Sequence, residues 1–264
     1  MHRKILVGFK ETEQGRDALE LGRILARASG AEMLVAAVPG DDGGELARLA
    51  RTEAVDLLVL GSTHRGPLGR VLPGATVEHL LGEATCAVAV APPGFGSPAE
   101  GDLGWRPLSG DAEDVGMRVV GIGYDGSPAA REALAVAAEL AVPNGAALRV
   151  FTVARVLAHI PGAGAEAQTG AGMTVPRLRE ELHRAVASLP VEARALPVFL
   201  QGFPAVELIG AAAEGVDLLV LGCRSGGPVR RALHGSVSSA VLKEARCPVL
   251  ISPSGVTAPQ AVPV

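Results

Sequence analysis

The segment Val55-Asp56-Leu57-Leu58-Val59-Leu60-Gly61 recurs without change as Val216-Asp217-Leu218-Leu219-Val220-Leu221-Gly222. Seven identical residues are hard to reach by chance, and self-similarity on this scale marks a chain built from two copies of one unit. The match extends outward. Arg16-Asp17-Ala18-Leu19 faces Arg131-Glu132-Ala133-Leu134, and Cys86-Ala87-Val88 faces Cys247-Pro248-Val249. The early matches are offset by 115 residues and the later ones by 161, so the second copy is longer by 46 residues between those points.

Within each copy, short apolar runs alternate with stretches of helical spacing. The first copy reads as strand over 4–9, helix over 15–28, strand over 32–38, helix over 45–53, the repeated strand, helix over 76–83 and strand over 87–91. The second reads as strand over 119–124, helix over 128–140 capped by Ser127, and strand over 147–153. A helix over 175–188 and a strand near 195–200 follow, filling the extra length, before the repeated strand and a last helix and strand. Strands that are apolar throughout and alternate with helices imply parallel sheets covered on both faces. The predicted fold class is therefore α/β, with two tandem doubly wound parallel-sheet domains, the first lacking one helix and one edge strand. The expected boundaries are a truncated first domain over 1–94, a Pro/Gly-rich linker over 95–116, a complete second domain over 117–254 and a tail over 255–264.

Aromatics make up only 3% of a chain that is 48% hydrophobic, so the cores must be built from Ala, Val and Leu. The net charge of −4 is spread without long runs of one sign, which proposes neither nucleic acid nor an anionic membrane as a partner. No apolar stretch approaches the roughly 18 residues of a membrane span, and Met1-His2-Arg3-Lys4 runs directly into the first strand, so the expected location is cytoplasmic. Cys86, Cys223 and Cys247 have no zinc spacing and form no CxxC; Cys86 and Cys247 read as small buried residues.

After the repeated strand, Gly222-Cys223-Arg224-Ser225-Gly226-Gly227 leads through Gly235-Ser236 into a helix beginning near Val237. A glycine-rich turn between strand and helix gathers free backbone N–H groups and the positive end of a helix dipole around one small volume, a place for a phosphate. The same turn also serves as plain tight-turn chemistry. Neither GxxxxGK[ST], HExxH nor GxSxG is present, so the expectation is a protein that is not an enzyme, with at most slow hydrolysis of a bound phosphate.

These residues resemble the universal stress protein family in tandem two-domain form, over roughly 3–91 and 117–252. The resemblance implies a five-stranded parallel sheet of order 3-2-1-4-5 in each complete unit. It also implies ATP binding through a Gly-x2-Gly-x9-Gly-Ser/Thr signature, here Gly222, Ser225 in place of the second glycine, and Gly235-Ser236. By the same resemblance Asp125 contacts the nucleoside, the backbone of Val153 meets adenine, and phosphates rest on Gly222, Ser225, Gly226, Gly235, Ser236 and Val237. The implied cofactor is ATP or another adenine nucleotide, with magnesium as its companion ion, in a stress-response regulator. On its own, Asp125 also reads as a turn residue. The first copy departs further: Lys10 replaces the acidic residue, His64 the second glycine and Ala75 the Ser/Thr, so its site is expected to be degenerate. Family analogy also pairs the last strands of the two copies, making a pseudo-dimer within one chain, with a homodimer of chains as a further possibility. Ser225 favours an alternative, a non-nucleotide protein-interaction module in which both sites have lapsed.

Overall fold

The computed structural model describes residues 4–37, 43–62, 64–65, 71–72, 86–96, 117–155, 174–223 and 237–254. In the first repeat copy β1 (Lys4–Phe9), α1 (Glu13–Ser29), β2 (Glu32–Ala37), α2 (Gly43–Thr52) and β3 (Leu57–Gly61) are followed by β4 (His64–Arg65), β5 (Val71–Leu72) and β6 (Ala87–Ala91). In the second, β7 (Val119–Gly123), α3 (Pro128–Ala141), β8 (Ala147–Ala154), α4 (Val175–Ala187), β9 (Leu196–Gln201) and α5 (Pro204–Ala213) precede β10 (Leu218–Cys223), α6 (Val237–Glu244) and β11 (Val249–Pro253). The helix expected over 76–83 lies outside the described residues.

Among the described residues nine strands form one sheet in the order β2-β1-β3-β6-β11-β10-β7-β8-β9. The second copy contributes the complete order 3-2-1-4-5, read from β9 inward, and the first contributes the same order without its edge strand. All neighbours within a copy are parallel; the two copies meet at β6 and β11, which pair antiparallel with Leu250 opposite Ala89. The expected edge-to-edge joint thus exists, and it removes two open edges at once.

Helices α1, α3 and α4 cover one face and α2, α5 and α6 the other, giving two apolar layers. The scarcity of aromatics shows in the packing. Ala130, Ala133, Ala137 and Ala141 of α3 are buried side by side, which lets that helix lie close to the strands. Asn144 adds a polar tie between copies, donating from Nδ2 to Ala28 O at 2.9 Å and to Leu140 O at 2.7 Å.

The aspartate inside the repeated segment has the same task in each copy. Asp217 Oδ2 accepts from Arg118 N at 2.7 Å and Val119 N at 2.8 Å, and Asp56 Oδ2 accepts from Lys4 N at 3.0 Å. Each carboxylate satisfies amides at the start of the neighbouring first strand, where the ladder has not yet begun. Asp17, 1% exposed, accepts from Gly94 N at 2.9 Å and Gly96 N at 2.7 Å, so α1 holds the turn after β6 and Phe95 is buried beneath it. The short pairing of His64–Arg65 with Val71–Leu72 is an element the sequence pattern does not announce, because two-residue strands carry no periodicity.

Candidate functional site

The strand order reverses at β7: β8 and β9 lie to one side, β10 and β11 to the other. In such sheets the loops leaving the two central strands depart toward opposite faces and open a crevice at the carboxyl ends. β7 leads into α3 on one face, and α6, the next described helix after β10, lies on the other. Three of the expected site residues sit at or just beyond these strand ends: Asp125 after β7, Val153 in β8 and Gly222 in β10.

Asp125 is exposed, and its Oδ1 accepts from Ser127 N at 2.9 Å. Ser127 in turn caps α3, its hydroxyl accepting from Ala130 N at 3.2 Å. The turn reading of Asp125 is therefore correct. It does not exclude contact with a ligand, because a carboxylate accepts at two oxygens and the turn uses one.

Val153 presents main chain as well as side chain. Tyr124 N donates to Phe151 O at 2.8 Å, so the main-chain groups of Phe151 face β7. By strand alternation those of Val153, two residues on, face the same way but past Gly123, the last residue of β7. Where the ladder ends, the Thr152 hydroxyl donates to Tyr124 O at 2.8 Å. Thr152, 1% exposed, is a positioning residue that sequence reasoning missed; its signal is a single hydroxyl within an apolar strand.

Gly222 has a role beyond the one expected of it. A β-carbon there would lie 2.4 Å from Ala129 O and 2.8 Å from Ala130 N, in the first turn of α3. Gly61, its repeat counterpart, would bring a β-carbon to 2.0 Å from Gln14 O in α1. Both glycines let a helix N-terminus close onto the end of a strand, and this packing brings the α3 turn, with Asp125, next to β10.

Val237 begins α6 and is 38% exposed. Ser225, Gly226, Gly235 and Ser236 lie outside the described residues, as do the side chain of His64 and all of Ala75. Burial raises the pKa of all three thiols. Burial pushes Cys247 up to about 12 and, with the Asp56 charge assisting, Cys86 to about 11; burial also raises Cys223, beside Gly222. No group of three or more His, Cys, Asp or Glu side chains suited to a metal occurs among the described residues. No described helix is long and apolar enough to cross a membrane.

The fold defines a tandem, doubly wound α/β protein whose second copy has the complete strand order. Comparison with known proteins agrees. The family model described as the Universal stress protein family matches residues 35–92 and 117–253, more than half of the chain. A universal stress protein of Mycobacterium tuberculosis is 30% identical over 203 residues, 75% of this chain and 61% of that protein. The chain thus spans less than two thirds of the length of that relative. A Thermus aquaticus universal stress protein is 36% identical over 143 residues, 51% of this chain and 98% of its own length. Among solved structures, a functionally unknown protein of Pseudomonas aeruginosa aligns over 96% of this chain and 93% of its own at a TM-score of 0.65 and 15% identity. A universal stress protein of Archaeoglobus fulgidus aligns over 96% and 86% at 0.55 and 18%. The chain belongs to the universal stress protein family.

Proposed function

We propose that the second copy binds one adenine nucleotide at the carboxyl ends of β7, β8 and β10, and that the chain acts as a stress-response binding protein rather than a catalyst. The observation that carries this reading is the placement of Asp125, the main chain of Val153 and Gly222 around one switch-point crevice. Asp125 supplies an acceptor for ribose hydroxyls. The outward main chain of Val153 offers the donor and acceptor edge that a purine needs. The segment from Gly222 to Val237 supplies N–H groups for phosphates. Ser225 retains an N–H and adds a hydroxyl, and Gly226 and Gly227 follow it directly in the sequence. Magnesium accompanies the phosphates as their companion ion.

The first copy lacks this chemistry. Lys10 stands where an acceptor is needed, and no counterpart of β9 flanks its second strand among the described residues. Binding acts on the protein by differential affinity for two shapes or partnerships, the only way a ligand shifts an equilibrium. Calorimetric titration with ATP tests the proposal. Wild type should bind at one site and Gly235→Val, which places a branched side chain in the phosphate loop, should not; equal binding by both would refute the assignment.

A further inference from the structure

The two outer edges of the sheet are built differently. Asp56 N donates to Lys4 O, so the main chain of Lys4 faces β3 and that of Ile5, Val7 and Phe9 faces β2. The register of Lys4 opposite Glu32 then turns Glu32, Leu34 and Ala36 inward. Met33, Val35 and Ala37 direct their N–H and C=O groups outward, three donors and three acceptors, on a strand that ends the sheet among the described residues. At the opposite edge Gly202 N donates to Ala154 O at 3.0 Å, which turns residues 196, 198 and 200 of β9 inward and Pro197 outward. A proline in an outward position removes a donor and blunts that edge. β2 has no such device.

The side chains repeat the contrast. Val35 is 49% exposed, whereas Val150, its counterpart 115 residues on, is completely buried between neighbouring strands and helices of the complete copy. Val35 sits at the centre of the outward set, two residues from Met33 and two from Ala37. The set is therefore self-complementary about a two-fold axis through Val35: Met33 meets Ala37 of a second chain, and Val35 meets Val35.

We infer that the open edge of β2 pairs antiparallel with β2 of a second copy of this chain. Three observations select that occupant. The outward groups satisfy one another in full when the strand meets itself antiparallel. The alternative of β2 against β9 of another copy would meet Pro197 and would propagate without closing, whereas the two-fold pair closes. The chain already joins half-sheets in this manner, edge to edge and antiparallel, at β6 and β11.

Sedimentation velocity over a concentration series, on the full chain, tests the inference. Wild type should reach a dimer. Val35→Pro, which copies the device of Pro197 and leaves the inward ladder of β2 intact, should sediment as a monomer with unchanged circular dichroism. Val35→Lys should do the same and carries the test should the proline variant fail to fold. Leu196→Lys, on the blunted edge, should remain dimeric. A wild type that stays monomeric to millimolar concentration, or a dimer that persists in the folded Val35 variants, would overturn the inference.

Discussion

Replacing Gly222 by alanine separates two roles that the glycine holds at once. A methyl group would sit 2.4 Å from Ala129 O, 2.5 Å from Ala129 C and 2.8 Å from Ala130 N. Real contacts of this kind need at least 3.0 Å, so α3 must retreat from β10 by a good part of an ångström. The obstacle is backbone in a capped helix turn, not the tip of a flexible side chain. Overpacking costs about 1–3 kcal/mol, and a backbone obstacle places this case near the top of that range, about 3 kcal/mol. Gly61→Ala, with its β-carbon 2.0 Å from Gln14 O, should cost at least as much although its copy is not the proposed site. Gly210, inside α5 with nothing within 4 Å of where a β-carbon would sit, is the control; alanine there should stabilise by about 0.5–1 kcal/mol. The assay is urea unfolding of nucleotide-free protein followed by circular dichroism. A Gly222→Ala variant within about 0.5 kcal/mol of wild type, an ordinary surface effect, would refute the packing argument and leave the glycine to phosphate alone.

Asp217→Ala should destabilise the apo protein by about 2 kcal/mol, because two backbone amides at the start of β7 lose a charged acceptor. A loss below about 0.5 kcal/mol in the same unfolding assay would contradict that role. The buried thiols make stability depend on alkaline pH. Cys247 ionises near 9 when unfolded and at about 12 in the fold, so its contribution is complete below pH 9 and is lost as pH rises from there toward 12. Cys247→Val should flatten that decline; an unchanged slope in pH-dependent unfolding would show that the thiol does not titrate as described.

The architecture is legible because it is written in long-range identity. The repeat at Val55 and Val216 announces two copies, and the change of offset places the missing helix and strand between β2 and the repeated strand. What the pattern does not show are contacts joining distant parts of the chain. Asp217 reads as a charge interrupting an apolar run, and only the fold brings it to Arg118 and Val119. Asp17 reads as one more polar helix residue until the turn after β6 folds onto it. Gly222 points in sequence to a ligand or to a plain tight turn, since close approach of a helix leaves no local trace there. Of the site, Asp125, Val153 and Gly222 are recognisable through motif resemblance and share one rim in the fold. Thr152, where the ladder ends beside them, belongs to no motif.

The central claim is that one copy holds a nucleotide and the other does not. Denaturing the purified protein and chromatographing the released supernatant counts the bound molecules directly. One adenine nucleotide per chain, absent from Gly235→Val, is the predicted result. Two per chain would contradict it by returning Lys10 and His64 to a working site, and none, with no heat of binding on addition of ATP, would contradict it altogether.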